Sequence, residues 1–566
     1  MFATLGKAHE TAAALLHRKG VVLDSIQEDG LVMHANKSPE DRALVDQRRV
    51  VKQRLTQLLF EVPKDFSPEA QQQRDSEKSK LANEVEELEK NLARQVTGLG
   101  RARRALSVTV EQVQKAIPKQ TVLLEWLRYS HYLGMNKFEP RYGAIVLLRT
   151  GEPKWVPLGS AKAIEKNVAL YQEAVRRSAG PSPSPVGVPS SGTKAGDALS
   201  TLLSALYQQL WAPIEAALPR GTTSVIISPD AALNFLSFAT LLTPEDKFLS
   251  QKYTLRYVAS GRDLLREKKS ANKGRVFIFG NPDFSGKTLL ASTNAAEPLI
   301  ALRTLEQRDL ASVSLAALPG TARECALLSE RAKQWGWMAR VLVEAEATEV
   351  QLGTVESPYI LHIATHGFFL PDIEPPRQSP FAESWRGIGG IKSMGPNSPA
   401  IPEPNFDAPP IALKNPMHRS GLALAGAQAT FEAWSRGETP DSRNDGIVTA
   451  DEVGLLKLEG TWLVVLSACD TGIGEIKAGE GVLGLRRGFI QAGAENLLMT
   501  LWSVADEETA RFMLDFYEAA HRSGDPGQAL ADVQRDWLAR LRRERGLNDA
   551  VRLAGPFILS SQGAIQ

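Results

Sequence analysis

Five short, almost unbroken apolar runs punctuate the second half of the chain: RVFIFG (275–280), ARVLVEA (339–345), YILHIATHG (359–367), TWLVVLSAC (461–469) and ENLLMTLW (495–502). Runs this short, apolar at nearly every position, read as strands buried on both faces. Helical patterns lie between several of them, among them TARECALLSERAKQWG (321–336) and EGVLGLRRGFIQAG (480–493). Strands alternating with helices imply an α/β fold, a mostly parallel sheet flanked by helices on both faces. In such sheets, ligands and chemistry sit beyond the carboxyl ends of the strands.

Two of the runs stop at a reactive side chain beside small residues. His366 precedes Gly367, and Cys469 precedes Asp470, Thr471 and Gly472. If their strands are neighbours, both side chains emerge on the same rim. A cysteine near its ordinary pKa of about 8.5 is mostly thiol at neutral pH, and the thiolate is the nucleophile. An adjacent imidazole takes that proton or, as imidazolium, stabilises the thiolate. The small residues leave room for a peptide backbone and free the N–H groups of Gly367 and Cys469 to bind a developing oxyanion. Acyl transfer from a peptide bond is the matching reaction class. The plainer reading of a lone cysteine after a strand is a buried small hydrophobe, and strand position alone favours that reading. Cys325, inside the helical ARECALLSE, reads as packing, and His362, inside its strand, as core. Asp470 and Trp502 lie at or near strand ends on the same rim. Each is a candidate for the substrate cleft, against a turn cap for Asp470 and a core position for Trp502.

Composition removes other classes. With 43% hydrophobic and 23% charged residues over 566 positions, the chain has the balance of a soluble globular protein. A net charge of +1 sets up no global field for nucleic acid or an anionic membrane, so direct nucleic-acid binding is not expected. Two cysteines exclude a disulfide framework and a Cys-rich metal site, and fit a reducing, cytoplasmic setting. No apolar run approaches the roughly 20 residues that span a bilayer, and the N-terminal stretch lacks a signal-peptide core. A soluble cytoplasmic protein, with no membrane partner, is the expectation.

The organisation changes along the chain. Residues 1–115 are helical in pattern, with Leu44, Val51, Leu55 and Leu58 on one face and Leu81, Val85, Leu88, Leu92 and Val96 on another, as in an antiparallel helical hairpin. Residues 116–270 are mixed α/β: TVLLEWLRY and YGAIVLLR read as strands, and VPLGSAKAIEKNVALYQEAVRRS as a turn followed by a helix. A Pro/Ser/Gly loop at 181–196 is too low in complexity to build a core. Residues 271–566 hold the alternating strands and helices. DSRNDGIVTADE (441–452) nearly matches a calcium loop, but Arg443 puts a cation where a ligand oxygen belongs. Asp445–Gly446 instead reads as a turn before a helix capped by Thr449, with Glu452 as capping-box partner. No metal or cofactor is expected.

A series of blocks in order then carries a resemblance: SVIISPDAALNFLSFATLL, LPGTARECALL, ILHIATHGFF, NPMHRSGLALAGA, NDGIVTADEVGLLKLEGTWLVVLSACDTGIGE, GEGVLGLRRGFIQAGAENLLMTLWSVADEETA and FMLDFYEA. The chain beyond its N-terminal helices resembles the CHAT family, caspase-like (clan CD) cysteine peptidases related to separases and caspases. The resemblance implies a caspase-hemoglobinase-like peptidase domain at 271–566, preceded by a pseudo-caspase-like region at 116–270, and a His–Cys dyad. It assigns the histidine of the HxATHG block to His366 and the cysteine of the SACxTG block to Cys469. It further implies an endopeptidase acting on selected protein substrates in a bacterial defence or signalling pathway.

Departures from the family pattern remain. CHAT domains commonly follow tetratricopeptide repeats, and no 34-residue period is visible here. Residues 1–25 resemble the segment joining such repeats to the peptidase, so the chain is expected either to be the peptidase half of a longer protein or to act with a separate partner, an activating or tetratricopeptide-repeat protein. A Pro/Gly/Ser-rich stretch at 371–414 reads either as a lid, binding loop or processing site beside His366, or as a tolerated surface insertion. The competing hypothesis is a catalytically silent scaffold that binds partners through its helical N-terminus. A dyad retained intact argues against it. A third is a peptidase locked until a partner reorders the loop.

Overall fold

The strands form where no face is left for water. Ile360–Ala364, Leu463–Leu466 and Asn496–Thr500 are buried at every position. The computed structural model describes residues 7–19, parts of 47–88, and residues 108–134, 137–177, 192–266, 273–286, 315–369, 420–435, 444–467, 478–502 and 506–563. Within these, fourteen strands are present: β1 (Thr121–Gly134), β2 (Lys137–Leu147), β3 (Lys154–Ser160), β4 (Ser224–Ser228), β5 (Thr254–Tyr257), β6 (Arg275–Pro282), β7 (Met338–Glu344), β8 (Ile360–Ala364), β9 (Gly367–Phe369), β10 (Ser420–Ala423), β11 (Ile447–Thr449), β12 (Leu463–Leu466), β13 (Asn496–Thr500) and β14 (Phe557–Ser561).

Eleven of them make one sheet in the order β3-β2-β1-β4-β5-β14-β13-β12-β8-β6-β7. The fold is mixed α/β, and its large sheet is mostly parallel and flanked by helices. Antiparallel pairing is confined to β1–β2, β2–β3 and β13–β14. The reversal at β13–β14 has a geometric result. The carboxyl ends of β6, β7, β8, β12 and β13 share one edge of the sheet, and those of β1, β4, β5 and β14 lie at the opposite edge. A second, three-stranded antiparallel sheet, β11-β10-β9, begins directly after the His366 turn.

Both faces of the large sheet are covered, and alternate residues along β1 show it. Val122, Leu124 and Trp126 enter the main core, whereas Leu123 enters a second core on the other side. That second core is closed by the helices Ala8–Arg18 and Val110–Ala116, through Ala12, Leu15, Leu16, Val110 and Val113. The helices Ala161–Arg177 and Gly192–Leu206 add Ile164, Val168, Tyr171, Leu199 and Leu203 to the main core. Farther along, the Pro319–Gln334 helix packs on β6 and β7 and against the Asp506–Ser523 helix. It sits close to the sheet because Gly280 of β6 lacks a side chain. A Cβ there would lie 2.3 Å from the Cys325 sulfur. Cys325 is fully buried, as its helical context implies.

Strands from 116–270 and from 271–566 thus contribute to one sheet. In the N-terminal block, Val51 and Leu88 are buried against each other with Leu81 beside them, and Arg54 pairs with Glu77 at 3.0 Å. These contacts match the face pattern of a helical hairpin. Two local readings need correction. VPLGS is not a turn but part of β3. It is an edge strand, where Pro157 costs no ladder bond that a central strand would need. The loop read at 181–196 gives way to helix at Gly192. Among the described residues, no helix is long and apolar enough to cross a membrane. The 371–414 stretch lies outside the described residues.

The N-terminal helix is fastened by charge as well as by its apolar face. Lys19 reaches past its end so that Nζ donates to Glu125 Oε2 at 3.1 Å and to the carbonyls of Trp126 and Ser228 at 3.2 and 2.8 Å. Glu125 is 1% exposed, and its other oxygen accepts the Gly261 N–H. Removing the cation leaves a buried carboxylate uncompensated, which costs several kcal/mol. Lys19→Met should therefore lower unfolding free energy by about 3 kcal/mol, read from urea denaturation. A loss below about 0.5 kcal/mol would mean that the pair behaves as a solvated surface contact.

Candidate functional site

His366 stands two residues beyond the end of β8, where the chain bends before entering β9. Its backbone is held on both sides. The Thr365 hydroxyl donates to the Ala423 carbonyl, and the Ala423 N–H donates to the His366 carbonyl at 2.9 Å. The second bond makes Gly367–Leu422 a pair of the narrow, non-hydrogen-bonded kind, in which each residue's own N–H points away from the partner strand. Gly367 therefore turns its amide away from β10, on the side where β9 is the sheet edge.

The imidazole is only 6% exposed. Its Nε2 lies 2.8 Å from the Ala316 carbonyl, which can only accept, so Nε2 carries the proton and Nδ1 is the accepting position of the neutral ring. Phe284 covers one side with its ring centroid 5.2 Å from that of the histidine. Phe284 belongs to a small satellite core with Ala423, Ala427, Phe431 and Ile447, onto which Leu315 and Leu318 pack. Phe284 is thus fixed by apolar contacts of its own, and Ala316 is held through its neighbours Leu315 and Leu318. Sequence reasoning missed Phe284 and Ala316. Neither sits in a motif, and both reach the histidine only through the fold.

The neighbouring strand is β12. It pairs with β8 in parallel, from Leu463 opposite Ile360 to Leu466 opposite Ile363, and the Ser467 N–H donates to the Ile363 carbonyl at 2.9 Å. Cys469 and Asp470 lie outside the described residues. Trp502 follows β13 on the same edge but is 3% exposed. Its indole N–H donates to the Arg552 carbonyl at 3.0 Å, and Tyr171 meets it edge-on at 5.8 Å. It occupies the core, the second of the two readings its strand-end position allowed.

Beneath the rim lies a buried polar group that the sequence reading passed over. His362 is fully buried, as a mid-strand residue should be, yet it is not apolar packing. Its Nδ1 is 3.0 Å from the Tyr517 hydroxyl, and its Nε2 is 3.2 Å from Glu324 Oε1. Burial pushes the Tyr517 phenol well above its ordinary pKa, with Glu324 and Cys325 adding to the effect, so the hydroxyl keeps its proton and can donate to Nδ1. The ring proton then belongs on Nε2, facing the carboxylate. That contact is a close approach of charge rather than an aligned hydrogen bond. The Ser467 hydroxyl lies 2.8 and 2.9 Å from the two oxygens of Glu324. The only sequence signal was a glutamate beside Cys325 on a helix face otherwise apolar.

Residues 200–552, more than half of the chain, match the CHAT domain. This chain belongs to the CHAT domain family. The matched span of the CHAT domain contains β8, β12, His366, Cys469 and Glu324. The chain is also similar to two crystal structures of the Saccharomyces cerevisiae separase–securin complex. One gives a TM-score of 0.39 over 82% of this chain and 31% of that one at 8% identity. The other gives 0.36 over 82% and 32%, also at 8% identity. The CHAT chain thus spans about a third of the length of those structures. No curated protein matches it.

The acidic stretch near 445 of this CHAT domain is built as a helix start. Thr449 caps the Ala450–Val453 helix, and Glu452 Oε2 accepts the Thr449 N–H at 2.8 Å in a complete capping box. Asp445 Oδ1 accepts from Ile447 N–H at 2.7 Å, and Gly446 holds a positive φ of 76° with Ala425 and Ala427 backbone crowding the place of a side chain. Thr449→Ala should lower stability by about 1 kcal/mol in urea denaturation. Calcium at millimolar concentration should leave the thermal midpoint unmoved. Micromolar calcium binding by isothermal titration, lost in Asp445→Ala, would overturn this account of the loop.

Proposed function

We propose that this CHAT domain is a caspase-like cysteine endopeptidase in which Cys469 is the nucleophile and His366 the proton carrier. One observation carries the reading: β8 and β12 are adjacent and parallel, with Leu466 opposite Ile363, and these are the strands that lead on in sequence to Cys469 and His366. Ser467 is already bonded to β8, and two residues of chain extend at most about 7 Å, so connectivity keeps Cys469 near the His366 rim. A histidine whose Nε2 is committed to a carbonyl presents Nδ1 for the thiol proton. The Ala316 carbonyl then does the orienting that a carboxylate does in other dyads and triads.

The chemistry runs as follows under this reading. His366 Nδ1 takes the Cys469 proton, and the thiolate sulfur bonds to the scissile carbonyl carbon. The carbonyl oxygen becomes an oxyanion, held by the N–H groups of Gly367 and Cys469. Collapse breaks the C–N bond, and the departing amine takes the proton back from the imidazolium. Water, deprotonated by the same imidazole, then adds to the thioester and releases the carboxylate and the thiol. Support for the oxyanion role of Gly367 is the outward turn of its amide at the sheet edge.

The reading places the chemistry in residues 271–566 and calls for a protein substrate. It assigns activation to a protein partner engaged through the N-terminal helices, in a bacterial defence or signalling setting. What supports a role for the first helix is that Lys19 fastens it to Glu125 and Trp126 within β1 and to Ser228 at the end of β4, so that it is an integral part of the fold. Asp470 keeps its place as a candidate for the substrate cleft.

Cys469→Ala and His366→Ala should each reduce cleavage by roughly 10⁴-fold while the fold persists, and the double variant should be no worse than either, because the pair acts as one unit. New protein termini in cells carrying wild type, absent with Cys469→Ala, would identify the substrate. Normal proteolysis by either purified variant would remove the peptidase reading.

A further inference from the structure

We infer that Glu324 is a positioning residue for the dyad: its buried carboxylate cross-links β8 and β12 one side-chain layer below the strand ends that lead to His366 and Cys469. The inference rests on the dyad reading above and adds a residue that the reading does not use.

The geometry is specific. In paired parallel strands, residues opposite each other share a face, and side chains on one strand alternate between faces. Val465 is opposite His362, so Ser467 and His362 lie on the same face, and the two strands lead on in sequence to Cys469 and His366. Glu324 approaches this face from the Pro319–Gln334 helix and meets both strands at once. Ser467 Oγ on the β12 side is 2.8 Å from Oε1, and His362 Nε2 on the β8 side is 3.2 Å from the same oxygen. Glu324, Ser467, His362 and Tyr517 are 3%, 7%, 0% and 1% exposed, so the bridge is dry.

A carboxylate in such a place is costly unless its partners hold it, and a well-packed apolar side chain would stabilise the fold as well or better. What an apolar residue cannot do is fix the position of a strand end that has just left its ladder. Ser467 is the last described residue before Cys469, and its main-chain N–H and its hydroxyl are both anchored, one to β8 and the other to Glu324. Loss of the hydroxyl anchor leaves one backbone bond to set where the next two residues go. A displacement of about 1 Å between dyad members is enough to cost up to a hundredfold in rate.

The test needs no substrate. Iodoacetamide alkylates a cysteine at a rate set by its thiolate fraction, which a close imidazole raises. Cys325 is silent in this assay, being fully buried with its thiol pushed up by burial. The rate at Cys469, followed by mass spectrometry of its peptide at pH 7 in the full-length protein, therefore reads how close the His366 ring sits. His366→Ala should slow it. Glu324→Ala and Ser467→Ala should each slow it about tenfold, and together no further, because each breaks the same bridge. Ser467→Thr, which restores the hydroxyl, and Glu324→Gln, which still accepts from it, should return the rate to within about twofold of wild type. A residue that mattered only for global stability would change the folded fraction, monitored by circular dichroism, and leave the rate per folded molecule alone. If Glu324→Ala does not fold, the Ser467 Ala/Thr pair decides. Folded Ser467→Ala alkylated as fast as wild type, while His366→Ala is slowed, overturns the positioning role alone, as does Glu324→Gln as slow as Glu324→Ala. An unchanged rate in His366→Ala overturns the dyad and this inference with it.

Discussion

The parallel contact between β8 and β12 is the constraint around which the rest of the molecule is arranged. Four successive register pairs and one further backbone bond to Ser467 hold these strands side by side. Parallel strands cannot be joined by a tight turn and must be covered on both faces. The helices, the satellite core around Phe284 and the small β9–β10–β11 sheet follow from that demand. A hundred residues of intervening chain are thereby converted into a short side-by-side placement of two strand ends. The same contact explains why the three-stranded sheet begins where it does. The chain leaves β8 at the His366 turn and is caught at once by β10.

Close packing and buried polarity meet under that contact. Gly280 lets the Pro319–Gln334 helix descend onto β6 until Cys325 sits where a side chain would have been. One residue before Cys325, Glu324 then reaches across to His362 of β8 and to Ser467 just past β12. The polar group formed with Ser467, His362 and Tyr517 is small, with Ser467 and Tyr517 hydrogen-bonded and His362 Nε2 held only by its approach to the carboxylate, and the low polarity around it strengthens each contact. A carboxylate is kept buried here, as it is at Glu125.

Much of this was legible in the chain itself because burial on both faces leaves an unmistakable trace. The runs around His362 and Val465 contain too little polarity to be anything but interior strands, and Thr449 with Glu452 spells out a helix start at its proper spacing. Other features left no local trace. Trp502 looked like a rim residue by position, and only Tyr171 and Arg552, brought in from remote helices, place it inside. His362 read as plain core, since the carboxylate that meets it comes from a helix nearly forty residues earlier. Phe284 and Ala316 hold the histidine through contacts that no periodicity encodes. VPLGS reads as a turn in the sequence, and only its place at the sheet edge, where Pro157 is tolerated, makes it the end of β3.

The place of β14 bears on how such a chain is made. This strand, formed from Phe557–Ser561, is inserted between β5 and β13 and, among the described residues, joins the two runs of parallel strands in the sheet. Until residue 561 has left the ribosome, β5 and β13 are both open edges, with unpaired backbone groups of the kind that templates pairing with other chains. Synthesis at about 5–20 residues per second leaves the β5 edge waiting for some 15–60 seconds after Tyr257 emerges. The nascent protein is therefore an obvious client for chaperones that shield strand edges, and a ribosome stalled before β14 would release one chain carrying two unpaired strand edges.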